Sequence, residues 1–209
     1  RLTEMKFVVA IDGPAAAGKG TIAKAVANHF GFAHLDSGLL YRAVAAKTLE
    51  GSDPVAASAS LHENDLQADN LRSPEVAQMA SKVAAIMEVR SELLEFQRTF
   101  AQRDGGAVID GRDIGTVICP EAAVKLFVTA SPKIRAQRRL TELLDKGEIT
   151  NFDTVFRQVK ERDERDANRH DSPLIAASDA VVIDTSDLTI QEALLQAVAV
   201  IEKIYEQAL

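Results

Sequence analysis

The sequence predicts an α/β fold, a parallel sheet of about five strands with helices on both faces, and three observations lead there. Short apolar, β-rich runs recur at 7–11, 107–109, 124–128 and 180–183, with a shorter candidate at 32–35. Between them, 19–30, 39–49, 73–103 (as two helices), 132–146, 152–168 and 189–207 follow the 3.6-residue helical period. The first apolar run also passes directly into a glycine-framed loop and then a helix. Strands alternating with helices give a parallel sheet covered on both faces, with ligands at the carboxyl ends of its strands.

The first strand and its loop read Phe-Val-Val-Ala-Ile-Asp-Gly-Pro-Ala-Ala-Ala-Gly-Lys-Gly-Thr over residues 7–21. Gly13 and Gly18, with Pro14, Ala15, Ala16 and Ala17 between them, let backbone N–H groups turn inward around a polyphosphate. Lys19 is then placed to reach the β- and γ-phosphates, and the helix starting there adds its positive end. The spacing is the P-loop pattern in its strand-to-helix context, so the chain is expected to be of P-loop NTPase type and to bind ATP through Gly13 to Thr21. The hydroxyl residue expected directly after the lysine is Gly20, with Thr21 one place later. A Mg²⁺ ion would lose its usual hydroxyl ligand; the Gly-Lys-Gly-Thr ending resembles the loop of nucleoside-monophosphate kinases, and that resemblance favours a small-molecule phosphotransferase over a switch GTPase. Gly18-Lys-Gly20-Thr-Ile-Ala23 also satisfies the dinucleotide fingerprint, but Gly18 comes seven residues after Ile11 rather than directly after the strand.

Size and composition limit the remaining classes. The 209 residues suffice for one core domain with excursions, and 26% charged against 46% hydrophobic is an ordinary globular balance. No apolar run approaches the roughly 20 residues that span a bilayer. A net charge of −7 argues against a nucleic-acid coat, so neither nucleic acid nor membrane is expected as a partner. Cys119 is the sole cysteine, which suits a reducing cytoplasm; beside Pro120 it reads as a packed structural thiol. The N-terminus lacks the pattern of a signal peptide, and Arg1 to Glu4 read as an upstream remnant or an extended start.

Later elements carry their own signals. Ser131-Pro132 supplies a cap and a first-turn proline for the helix at 132, and Asp187 or Thr189 can cap the last helix. In that helix Leu194, Val198, Ile201 and Tyr205 form a core stripe. Residues 51–74, with Gly51, Pro54, Pro74 and little periodicity, are where the chain leaves the core.

Each βα junction after the loop is polar. The second strand ends at Asp36-Ser37-Gly38, followed by Tyr41-Arg42; on residues alone Arg42 is either an anion ligand or a solvated helix arginine. The third ends in Asp110-Gly-Arg112-Asp113, of Walker B form, where buried charge needs a counterpart such as phosphate or Mg²⁺. Residues 133–169 hold seven arginines interleaved with acids. Ion pairs at i,i+4 account for about half of these charges. The preference for arginine over lysine suits bidentate phosphate binding, and Arg162, Arg165 and Arg169 share one helix face.

Gly-Pro-Ala-Ala-Ala-Gly-Lys-Gly-Thr, Leu-Asp-Ser-Gly-Leu-Leu-Tyr-Arg, Asp-Gly-Arg-Asp-Ile-Gly-Thr-Val and Lys-Glu-Arg-Asp-Glu-Arg-Asp-Ala-Asn-Arg, in this order, resemble the bacterial cytidylate kinase family. The resemblance implies transfer of a phosphoryl group from ATP to CMP and dCMP by a monomer, with Mg²⁺ held through water that Asp36 and Asp110 orient. By the same resemblance Lys19 is the main charge on the migrating phosphoryl. Arg42, Arg112 and Arg169 would clamp the acceptor phosphate; Ser81, Arg90 and Asp113 would read cytosine; Arg162 and Asp166 would face the ribose; and Ser37 and Tyr41 would line the acceptor pocket. Arg135 and Arg139 would close over the triphosphate as a short lid at about 133–169, and 51–103 would be the acceptor excursion from a core of 1–50 and 104–209. Without the resemblance, Ser81 reads as an ordinary helix-surface serine. Many bacterial members carry a longer acceptor insert, whereas here only residues 50–74 remain between the Tyr-Arg motif and the Ser81 helix.

Overall fold

The structure, a computed structural model, describes residues 6–208, so Arg1 to Glu4 lie outside the described residues. Five parallel strands, β1 (Val8–Asp12), β2 (Ala33–Asp36), β3 (Ala107–Gly111), β4 (Val124–Thr129) and β5 (Val181–Asp184), form one sheet in the order β2-β3-β1-β4-β5. The central strand is the one that leads into the glycine loop. Its side chains alternate between two cores, as the two-residue period of a strand requires. Val9 and Ile11 join the cluster under α1 (Lys19–Phe30) and α8 (Ile190–Ala208). Ala10 joins the cluster under α2 (Ser37–Leu49), α4 (Pro74–Val83) and α5 (Met87–Ala101).

Helix starts follow local chemistry. Ser131 Oγ accepts from Ile134 N–H with Pro132 in the first turn, and Thr189 and Glu192 close a reciprocal capping box at α8. The last helix buries Ala193, Ala197 and Ile201 most deeply, with Leu194, Val198 and Tyr205 packed at the margin of the same core. The expected stripe is therefore core, with its centre one residue away.

Residues 51–74 differ from the aperiodic segment expected. They contain α3 (Pro54–Ala59) and two 3-10 turns, Glu63–Gln67 and Asp69–Arg72. Asp53 Oδ1 accepts from the N–H groups of Val55 and Ala56, both at 3.0 Å, and Pro54 opens the helix. A cap and a proline suffice for a helix of six residues, which is too short to show a period. Helix α6 (Pro132–Asp145) and α7 (Phe152–Ala167) pair through a small core of their own, Ala136, Leu143, Val155 and Val159.

Candidate active site

The carboxyl ends of β1, β2 and β3 open on one cavity of about 1280 Å³ that runs from the glycine loop to α4, α5 and α7. At its floor the loop is shaped by close approach. Gly13 has φ +154°, and a Cβ there would lie 1.9 Å from the Val128 carbonyl oxygen of β4, so only glycine lets strand and loop pass this closely. Ala16 takes a left-handed φ of 60°. Of the expected loop residues, Ala15 to Thr21 line the cavity, while Gly13 and Pro14 form its root.

Lys19 feels Arg112 and Arg162 as well as Asp36 and Asp110; burial first, then Arg112, pull its ammonium from 10.5 down to about 7. A phosphate beside Lys19 would restore the charge, so nucleotide binding near pH 7 is expected to take up a fraction of a proton. The sign follows from linkage: the free lysine loses its proton above about pH 7 and the bound one does not, so affinity should fall as pH rises above 7. Calorimetric titration with ATP at pH 7.5, in buffers of different ionisation enthalpy, measures the uptake. Lys19→Met should abolish it; an equal uptake in both proteins would assign the proton elsewhere.

Asp36 and Asp110 face each other across the β2 and β3 register. Asp110 is 2% exposed and accepts from His34 Nε2 at 2.8 Å, a partner without metal spacing that sequence reasoning assigned no role. Its Oδ2 would lie 3.8 Å from a Cβ on Gly20, the position where related loops carry a hydroxyl. No group of three or more metal-ligating side chains occurs among the described residues. Two lone carboxylates over a phosphate cradle fit a metal carried by nucleotide and water rather than a protein cage.

Away from the glycine loop, the cavity is walled by a crowd of cations around one buried acid. Asp166 is 2% exposed and takes Arg112 Nε at 2.9 Å on Oδ2 and Arg169 Nη2 at 2.5 Å on Oδ1. Burial would raise its carboxyl, but Arg112, Arg169 and Arg162 hold it well below the usual carboxylate range. Arg162 has the opposite imbalance: burial and then Arg112 press it down to about 9. Its Nε and that of Arg169 are buried without partners, as is Ser81 Oγ. Unpartnered donors in an excess of positive charge call for an anion. Arg42 donates to the Leu71 carbonyl at 2.8 Å and lines the same space with Tyr41. Arg90 pairs with Asp113 through Oδ2, both buried, and donates to the Ala84 carbonyl at 3.2 Å. Ser37 Oγ donates to the Asp110 carbonyl at 2.8 Å.

The two expected lid arginines separate. Arg139 lines the cavity and pairs with Glu142 at 2.8 Å. Arg135, 3% exposed and outside the lining, holds Asp163 with both terminal nitrogens and the carbonyls of Ala130 and Ala15 at 2.8 and 3.2 Å. Four of its five N–H groups are thus committed to joining α6, α7 and the loop. Sequence reasoning gave no role to Arg138, which does line the cavity, bonded to Thr185 Oγ1 at 2.9 Å and the Thr185 carbonyl at 2.7 Å. It also passed over Arg72, 3.9 Å from Asp36. Nothing in the spacing separates Arg138 from Arg135, because both lie on one short helix.

Known proteins match this chain along nearly all of it. The profile of the family described as cytidylate kinase covers residues 9–63 and 52–204. A cytidylate kinase of Cereibacter sphaeroides is 60% identical over 198 residues, 95% of this chain and 96% of the relative. That alignment leaves no room for an inserted acceptor subdomain, so the short 50–74 segment is shared with it. A cytidylate kinase of Azorhizobium caulinodans is 50% identical over 203 residues, 94% of this chain and 98% of the relative. Among solved structures, a gluconokinase from Sinorhizobium meliloti superposes with a TM-score of 0.51 at 16% identity, covering 100% of this chain and 97% of that one, which shows the shared P-loop kinase fold. With the family profile spanning both the glycine loop and the arginine helices, the chain belongs to the cytidylate kinase family.

Proposed function

We infer that the protein transfers the γ-phosphoryl group of ATP reversibly to the 5′-phosphate of CMP, and of dCMP, giving CDP or dCDP and ADP, and that it does so as a cytoplasmic monomer. What supports this reading is one cavity that joins Lys19 to Arg112, Asp113 and Ser81 in a chain of this family. An acceptor phosphate oxygen forms the new bond to the γ-phosphorus as the bond to the ADP oxygen breaks, in line and without a covalent enzyme intermediate. Two like charges must meet, so the residues act by positioning and neutralisation.

In this reading the loop Gly13 to Thr21 holds the triphosphate and Lys19 follows the migrating phosphoryl. Arg42, Arg112 and Arg169 hold the acceptor phosphate, with Asp166 fixing the last two and, with Arg162, facing the ribose. Ser81, Arg90 and the free oxygen of Asp113 read cytosine, beside Ser37 and Tyr41. Arg139 covers the triphosphate, and Arg135 holds the lid of α6 and α7 on the loop. Asp36 and Asp110 would orient the water of a Mg²⁺ ion, which when bound neutralises phosphate charge. Residues 51–103 form the acceptor side and 133–169 the lid, whose closure excludes water.

An ADP-release assay against CMP, dCMP, UMP, AMP and shikimate tests the activity. CMP is expected to give the highest kcat/KM; a preference for AMP or shikimate would overturn it. Arg112→Ala should raise the acceptor KM and lower kcat with nearly unchanged ATP affinity, since a charge-assisted bond to phosphate is worth about 1.5 to 3 kcal/mol. Titrations with each nucleotide separate the sites. Weakened ATP binding with normal CMP kinetics would reverse them.

A further inference from the structure

The last residue of β1, Asp12, carries a charge that neither the phosphate cradle nor the acceptor pocket uses. It is 5% exposed, does not line the cavity, and lies on the face of the sheet that Ala10 shares with the α2, α4 and α5 core. Its Oδ1 accepts from the Ile114 N–H and its Oδ2 from the Gly115 N–H, each at 2.8 Å. These are the leading amides of a π-helical turn, Ile114–Ile118, that starts at Asp113. A helical turn leaves such amides without partners of its own. A carboxylate can accept from two neighbouring amides at once, whereas asparagine would set its own NH₂ against one of them.

Independent features show that the contact is built. A Cβ on Gly115 would lie 3.2 Å from the Lys125 side chain and 3.4 Å from Asp12 Oδ2, so the amide sits in a tightly packed place. The trailing end of the turn is held by α5, where Arg98 Nε and Nη2 donate to the carbonyls of Ile118 and Val117, both at 3.2 Å. Arg90 of the same helix holds Asp113. Burial pushes the Asp12 carboxyl up to about 6 against its two amide bonds. An apolar residue would pack this position without that desolvation penalty, so packing does not explain the acid.

We propose that Asp12 is a positioning residue that ties the Arg112–Asp113 turn to the root of the phosphate loop, holding donor and acceptor sites at one spacing. Gly13 follows it directly, so the carboxylate carries the coupling of turn and loop one step beyond the last β1–β3 pair, Asp12 with Gly111. The inference rests on the acceptor roles proposed above for Arg112 and Asp113.

Asp12→Asn tests it through three readouts on the full chain: backbone hydrogen exchange in 112–118 against 13–21, affinity for a non-hydrolysable ATP analogue, and kcat and KM for CMP and UMP. Exchange in the turn should rise about tenfold or more with the loop unchanged. ATP-analogue affinity should stay within about twofold, while kcat/KM for CMP falls about tenfold and the preference over UMP narrows. Unchanged exchange, unchanged CMP kinetics, or equal losses at both sites that follow a lowered melting temperature would overturn the proposal. Should Asp12→Asn fail to fold, Asp12→Ser, which removes the two-oxygen acceptor with a smaller side chain, should give the same signature. If the wild-type protein prefers another acceptor, the CMP reading falls and the kinetic split is measured with that acceptor; the exchange result does not depend on it.

Discussion

Lys19→Ala is expected to keep the fold and lower kcat by about 10²- to 10³-fold, the scale seen when one preorganised charge is removed from a developing transition state. The structure adds a sign for stability. Burial and Arg112 press the lysine down to about 7, so its charged form is disfavoured in the folded protein. Removing it should leave the melting temperature unchanged or slightly higher, while the phosphoryl loses its main counter-charge. Circular dichroism melting and turnover on one preparation check both halves. Near-wild-type turnover would remove the loop lysine from the chemistry; a collapsed melt would make it a structural residue.

Asp113→Ala should have two separable effects. Asp113 and Arg90 are both buried, with side chains 6% and 9% exposed, so removing the acid leaves a buried guanidinium unpaired, at about 3 to 5 kcal/mol. It should also narrow the CMP-to-UMP ratio of kcat/KM, chiefly by weakening CMP. The N4 amino group of cytosine donates to a carboxylate, where uracil offers a carbonyl that the carboxylate repels. Replacing the pair with Arg90→Met and Asp113→Leu should recover much of the stability but not the preference. Ser81→Ala supplies the contrast. Its buried Oγ has no partner, so the loss should narrow the ratio more mildly with the melting temperature unchanged. If the ratio is unchanged in the Asp113 and Ser81 single variants while kcat falls equally for both nucleotides, Asp113 organises Arg112, and cytosine is recognised elsewhere.

Both predictions rest on features that differ in how far the chain alone discloses them. The parallel sheet, its five strands and the loop at the end of the first were legible because their causes are local: a two-residue apolar period, a 3.6-residue period, and glycines at fixed spacing around a lysine. Family motifs extended that reading to the proposed acceptor residues, and Ser81, unremarkable on its helix, became a candidate only through them. Helix α3 escaped because six residues are too few for a period to emerge from their composition.

What tertiary structure alone decided is which charges face the cavity and which hold the walls. Arg135 and Arg138 are three residues apart on one helix, yet the first spends its donors on Asp163 and two carbonyls while the second lines the pocket. Asp166 acquires Arg112, Asp110 its histidine, and Asp12 its two amides from residues 54, 76 and 102 or 103 positions away. A side chain's type and spacing set what it can bind. Its partner depends on how β1, β3 and α7 pack against one another, and those long-range contacts leave no period in the sequence.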